Sequence, residues 1–155
     1  MPRPTGITLL LSQLGADAAA RFAEALVPLD LTPPLASVLR LIATRPGISQ
    51  RELALALGAA PSRVVTHLDD LEGRGAIVRE KSADRRMNRI VMTEQGDELF
   101  ARVRRVVADT DRATVDGLDD AQRLTLTELL TELAGHRGIT PGVHPNMGAA
   151  RSIRH

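Results

Sequence analysis

SQRELALALGAAPSRVVTHLDDLEGRG, Ser49 to Gly75, is the stretch whose reading decides the fold. Ser49 and Glu52 are spaced as a capping box: the serine oxygen can accept from the amide three residues on, and the glutamate can reach back to the serine's own amide. A short helix follows and ends near Gly58. After the small-residue turn Gly58-Ala59-Ala60-Pro61, a further helix carries Val64, Leu68 and Leu71 on one face, with Gly75 suited to a left-handed C-cap. Two short helices joined by a tight turn make a helix-turn-helix.

Working outward, the period changes directly after Gly75. Ile77 to Lys81 and Arg89 to Met92 are short β-branched segments flanking the polar connection Ser82 to Asn88, a pattern that predicts a two-stranded hairpin with a long loop. Thr93 then caps a long helix predicted to run to about Asp116. Asp119 and Gln122 open another, which carries Leu124, Leu129, Leu130 and Leu133 to about His136. Upstream, Thr32 and Pro33 begin a helix with Leu35, Val38, Leu39 and Ile42 inward, stopped by Pro46 and Gly47. Before it, Ile7, Leu10, Leu11, Leu14, Ala18, Phe22, Ala25 and Leu29 keep the spacing of an amphipathic helix. The fold class is therefore mainly α with a small β-hairpin wing: a winged helix-turn-helix over residues 31–92, flanked by a helical dimerisation region at 1–30 and 93–136, with 137–155 an aperiodic tail.

Composition narrows the function classes. Twenty basic residues nearly cancel nineteen acidic ones across 155 positions, so attraction to a polyanion must come from local clustering. The absence of cysteine excludes a disulfide framework, a thiolate metal site and a cysteine nucleophile. His67, His136, His144 and His155 are scattered without ligand spacing, so neither a metal nor a cofactor is expected. No phosphate-cradling glycine loop or nucleophile elbow points to an enzyme. No apolar run of bilayer length is present, and a cytoplasmic location is the expectation. Phe22 and Phe100 are the only aromatic residues, which predicts a core of aliphatic side chains and a small-molecule pocket without stacking surfaces.

The charge map singles out the hairpin. Between Arg79 and Arg89 five basic residues (Arg79, Lys81, Arg85, Arg86, Arg89) stand against two acids (Glu80, Asp84) in eleven positions. A hairpin tip is narrow enough for the minor groove of duplex DNA, whose negative potential favours an inserted guanidinium. Asp84, two residues before Arg86, is expected to pair with an arginine and fix its direction. On the preceding helix, with Val64, Leu68 and Leu71 inward, about 100° per residue turns Ser62, Thr66 and Asp69 outward and leaves Arg63 and Val65 beside them. Ser62, Arg63, Val65 and Thr66 lie in the N-terminal half, the part of a recognition helix that enters the major groove. Arg63 is the first candidate for a base or phosphate contact, and Val65 suits a thymine methyl. His67 is expected to pack, and Asp69 to orient an arginine.

Asp84 to Gly96, DRRMNRIVMTEQG, resembles the signature of the MarR family: an acid, any residue, an arginine, a strand, then a threonine and a nearby glycine opening a helix. Leu53, Ala54, Leu57, Gly58, Pro61, Ser62, Val64, Leu68, Leu71 and Gly75 are similar to that family's helix-turn-helix. The likeness spans Leu31 to about Leu99. One position departs from it: Ala60 stands where a capping serine or threonine is usual, which forgoes roughly 1 kcal/mol and leaves the helix register open by a residue. The resemblance implies a homodimeric transcriptional repressor whose terminal helices interdigitate and which releases its DNA to a small, often anionic aromatic effector. The dimer candidates are Ile7, Leu10, Leu11, Leu14, Leu124, Leu129, Leu130 and Leu133, apolar residues that nothing left in the chain can cover. Two-fold symmetry would make the operator pseudo-palindromic. Arg21, Arg40, Arg45, Phe22 and Leu39 could border an effector cleft, but no effector residue is assigned. The alternative is a winged helix kept for protein interaction or dimerisation without DNA binding, against which the clustered wing arginines argue.

Overall fold

The structure, a computed structural model, describes residues 6–81 and 88–139. Among these residues the order is α1 (Ile7–Leu26), a short 3₁₀ turn (Val27–Leu29), α2 (Pro33–Thr44), α3 (Gln50–Leu57), α4 (Pro61–Gly73), β1 (Ile77–Lys81), β2 (Asn88–Met92), α5 (Glu94–Thr114) and α6 (Asp120–His136). The strands form an antiparallel hairpin in which Ile77 faces Met92 and Lys81 faces Asn88. Two of the helix ends fall short of expectation. The first helix stops at Leu26 rather than running through Leu29, because Pro28 has no N–H to donate and its ring crowds the preceding turn; Asp30 then reverses the chain at φ 53°. The long fifth helix ends at Thr114, with Gly117 at φ 91° in the turn that follows.

The helix starts are made by their caps. The Thr32 hydroxyl accepts from the Leu35 amide, with proline in the first turn of α2. Ser49 and Glu52 close both halves of the capping box, the Glu52 amide donating to the serine oxygen at 3.2 Å and the Ser49 amide to the glutamate at 2.8 Å. Asp119 and Gln122 do the same at α6. The inward faces of α2, α3 and α4 supply a core of Leu35, Val38, Leu39, Ile42, Leu53, Leu57, Val64, Leu68 and Leu71, all nearly or wholly buried. Ile77 and Ile90 pin the hairpin to it, both fully buried. At β2 the Ile90 amide also donates to the Ile48 carbonyl at 3.0 Å, so the base of the wing is tied to the turn between α2 and α3.

The wing's other anchor is at the start of α5. Ala76 accepts from the Thr93 amide at 3.1 Å, the Thr93 hydroxyl donates to the Gly75 carbonyl, and the same hydroxyl accepts from the Gly96 amide at 3.1 Å. Gly75 holds φ 69°, a left-handed value that favours glycine. Gly96 is buried so close to Ala76 that an added Cβ would lie 2.0 Å from the Ala76 carbonyl oxygen. α5 then runs along α1 and α2. α6 has no buried residue within its own chain. Among the described residues, no single helix is long and apolar enough to cross a membrane.

Candidate nucleic-acid interface

α4 begins at Pro61 with Ala60 as a cap lacking any side-chain hydrogen bond, so its register is the one the sequence pattern proposes despite the missing hydroxyl. Val64, Leu68 and Leu71 are fully buried. Ser62, Arg63 and Thr66 are exposed and Val65 is half-buried, so all four stand on or beside the outward face of the N-terminal half. The Thr66 hydroxyl donates to the Ser62 carbonyl at 3.1 Å, which leaves its oxygen able to accept.

His67 is half-buried on the same helix. Burial, and then the charge of Arg63, hold its imidazole below the usual histidine range, with Asp70 pulling the other way. Because the neutral form is preferred in the folded protein, the unfolded chain binds the proton first as pH falls below about 6.5. Stability should thus decline from pH 6.5 downward through the folded value. Glu52 and Glu72 are both held below the carboxylate range, Glu52 by the Ser49 amide and Glu72 by Arg79, and they lose their contribution only at lower pH. Urea unfolding of His67→Gln between pH 7 and 5 is expected to give a flatter pH dependence than the wild type. Parallel curves would remove His67 from the acid response.

In the wing, antiparallel partners share a face, and the alternation along β1 puts Arg79 on the inward side with Ile77, opposite Ile90. Its guanidinium turns to α4. Arg79 Nε donates to Glu72 at 3.1 Å, Nη2 donates to Glu72 at 2.6 Å and also to Asp69, and the Arg79 amide donates to Glu72 at 3.3 Å. By position alone, Arg79 belongs with the polyanion-binding charges of the hairpin. The structure corrects this, since two carboxylates of the recognition helix already take that charge. Asp69 orients an arginine as expected, and the arginine is Arg79. Arg89, on the opposite face of the hairpin, is exposed and bridges to Ser49 at the start of α3. Asp84, Arg85 and Arg86 lie outside the described residues.

The dimer candidates form the other exposed feature. Ile7, Leu10, Leu11, Leu14, Leu124, Leu129, Leu130 and Leu133 are between 41% and 75% exposed, far more than leucines that belong to an intrachain core. Leu9, outside the expected set, is also exposed.

Between α1, α2 and α5 opens a cleft of about 860 Å³. Phe22 and Phe100 both line it, together with Ser37, Arg40, Arg104 and Asp111. The expectation of a pocket without stacking surfaces is therefore wrong. The chain's two aromatic residues, 78 positions apart, meet in one cleft, a convergence that no local spacing signals. Of the residues proposed to border it, Phe22 and Arg40 do. Arg21 instead pairs with Asp17 at 2.8 Å on the surface of α1, Arg45 lines a separate depression beside Gly47, and Leu39 is buried in the core. Arg104 and Asp111 join the cleft from α5, through a packing of α5 on α1 and α2 that no local spacing in the sequence signals.

Comparison with known proteins agrees with this geometry. The model of the MarR family matches residues 31–87, the helix-turn-helix and most of the wing. A transcriptional regulatory protein assigned to the hcr operon of Thauera aromatica is 38% identical over 112 residues, covering 72% of this chain and 68% of that protein. The HTH-type transcriptional repressor Rv2887 of Mycobacterium tuberculosis is 32% identical over 125 residues, 80% of this chain and 90% of its own. Rv2887 solved in complex with DNA superposes with a TM-score of 0.72 at 28% identity, over 84% of this chain and 98% of that one, and it is also solved with p-aminosalicylic acid. A MarR-family transcriptional regulator from Rhodococcus sp. RHA1 superposes with a TM-score of 0.72 at 32% identity, over 83% of this chain and 91% of that one. With relatives above 30% identity matched over most of both chains, and a family model seated on the helix-turn-helix, this chain belongs to the MarR family of transcriptional regulators.

Proposed function

We propose that the chain acts as a homodimeric repressor that reads a pseudo-palindromic operator, with α4 in the major groove and the wing in the adjacent minor groove, and that a small anionic aromatic ligand releases it. Residues 31–92 are the DNA-binding unit in this reading, and 1–30 with 93–136 the dimerisation unit. Ser62, Arg63, Val65 and Thr66 meet base edges and phosphates, while Arg85, Arg86 and Arg89 serve the wing, with Asp84 orienting an arginine. The leucine faces of α1 and α6 bury against a second copy. The observation that carries the reading is the outward, N-terminal placement of Arg63 and its neighbours on a helix packed directly against a basic hairpin. The solved Rv2887–DNA complex supports it by analogy. The protein is a regulator without a catalytic role and works in the cytoplasm.

For the ligand, Phe22 and Phe100 offer flat apolar faces and Arg40 and Arg104 offer guanidinium forks in the same cleft. An aromatic carboxylate fits that pairing, and the p-aminosalicylic acid complex of Rv2887 points the same way. The alternative, a winged helix kept for protein contacts alone, leaves the clustered wing arginines without a purpose.

Mobility shift on duplex DNA from the protein's own upstream region tests the proposal. Arg63→Ala and Arg86→Ala should each weaken binding by about 1 to 3 kcal/mol. Unchanged affinity in both variants would take helix and wing out of the mechanism.

A further inference from the structure

We propose that Arg79 is a positioning residue for DNA binding: paired at once with Asp69 and Glu72, it holds the wing at one angle to the recognition helix. This rests on the DNA-binding reading above and adds to it a part that touches no DNA. The wing's base is fixed by the burial of Ile77 and Ile90 and by the bonds around Ala76 and Thr93. Beyond Ile77, the next inward residue of β1 is Arg79, and no apolar side chain of that strand packs further out. From there the hairpin meets α4 through a guanidinium instead of a core.

The network is suited to setting direction. Asp69 and Glu72 lie three residues apart on one edge of α4, and both reach the same guanidinium, whose side chain is 22% exposed. The planar fork presents donors at fixed angles, so two carboxylates grip it in one orientation, whereas a single surface pair would leave it free to swing. Exposed ion pairs add little to fold stability. The consequence is that breaking this network should change how the wing is presented far more than whether the domain folds. The same contacts offset one of the two negative charges that Asp69 and Glu72 place on the DNA-binding helix.

The sign of one variant separates the clamp from plain electrostatics. Asp69→Asn with Glu72→Gln removes two negative charges from the recognition helix, so charge alone would tighten binding to the upstream duplex. The clamp requires the reverse, a loss of roughly fivefold or more. A double-mutant cycle adds a readout that a merely structural role would not move. Arg86→Ala should cost roughly tenfold in the wild-type background and under threefold in the Asp69→Asn/Glu72→Gln background, where the wing is no longer aimed. Circular dichroism and thermal melts on the same samples identify a folded protein, and Arg79→Met provides a second route to the same broken network. Tighter or unchanged binding by the folded double variant, or full additivity with Arg86→Ala, overturns the clamp while leaving the DNA-binding reading intact. A wild type that ignores duplex DNA overturns both.

Discussion

Gly96→Ala is expected to destabilise the protein by about 2 kcal/mol or more, although helix propensity alone forecasts a gain of up to about 1 kcal/mol for alanine over glycine. The new methyl would lie 2.0 Å from the Ala76 carbonyl oxygen, 2.9 Å from its carbon and 2.6 Å from the Met92 sulfur. The sulfur can move. The carbonyl cannot, because it belongs to the backbone and already accepts from the Thr93 amide. Relief therefore requires α5 to part from the base of the wing, which breaks the hydrogen bonds that Thr93 makes to Gly75 and Ala76. Thermal unfolding of the variant beside Gly135→Ala, a helix glycine with open space around it, checks the point. A melting temperature lowered by several degrees for the first and not the second is expected, and equal behaviour would show that the close approach is not a constraint.

The second large effect concerns the exposed leucines. Leu11→Arg together with Leu130→Arg places two charges on the exposed apolar faces of α1 and α6, at positions 45% and 41% exposed. The single chain should tolerate them. A two-fold interface should not, since burying an unpaired charge costs far more than the apolar contact it replaces. Light scattering is expected to show a monomer where the wild type is a dimer. With one half-site read at a time, DNA affinity should drop by roughly 100-fold or more, the loss of a second contact made at high effective concentration. A variant that stays dimeric and binds as before would move the interface elsewhere.

Much of this was legible in the sequence because it depends on neighbours. Caps at Thr32, Ser49, Thr93 and Asp119, glycine stops at Gly58 and Gly75, and the period of Val64, Leu68 and Leu71 are local signals, and together they place the helix-turn-helix and its outward residues. What escaped depends on tertiary approach. The end of α1 at Leu26 was hidden by an apolar stripe that continues past Pro28, where covalent chemistry overrides periodicity. The pairing of Arg79 is not a local signal, because its partners lie seven and ten residues back on α4, although the two-residue alternation from Ile77 marks it as inward. The meeting of Phe22 and Phe100 follows only from the packing of α1 along α5, and no spacing in the chain encodes it.

The most direct test of the account is a fluorescence anisotropy titration of the wild-type protein against a duplex from its own upstream region, repeated over a range of salt concentrations. The account predicts saturation at two chains per operator and an affinity that falls linearly with salt on logarithmic axes, losing roughly 10³ between 50 and 200 mM as arginine–phosphate contacts release their counterions. Absence of binding at the lowest salt, or binding by single chains with no dependence on salt, would contradict it.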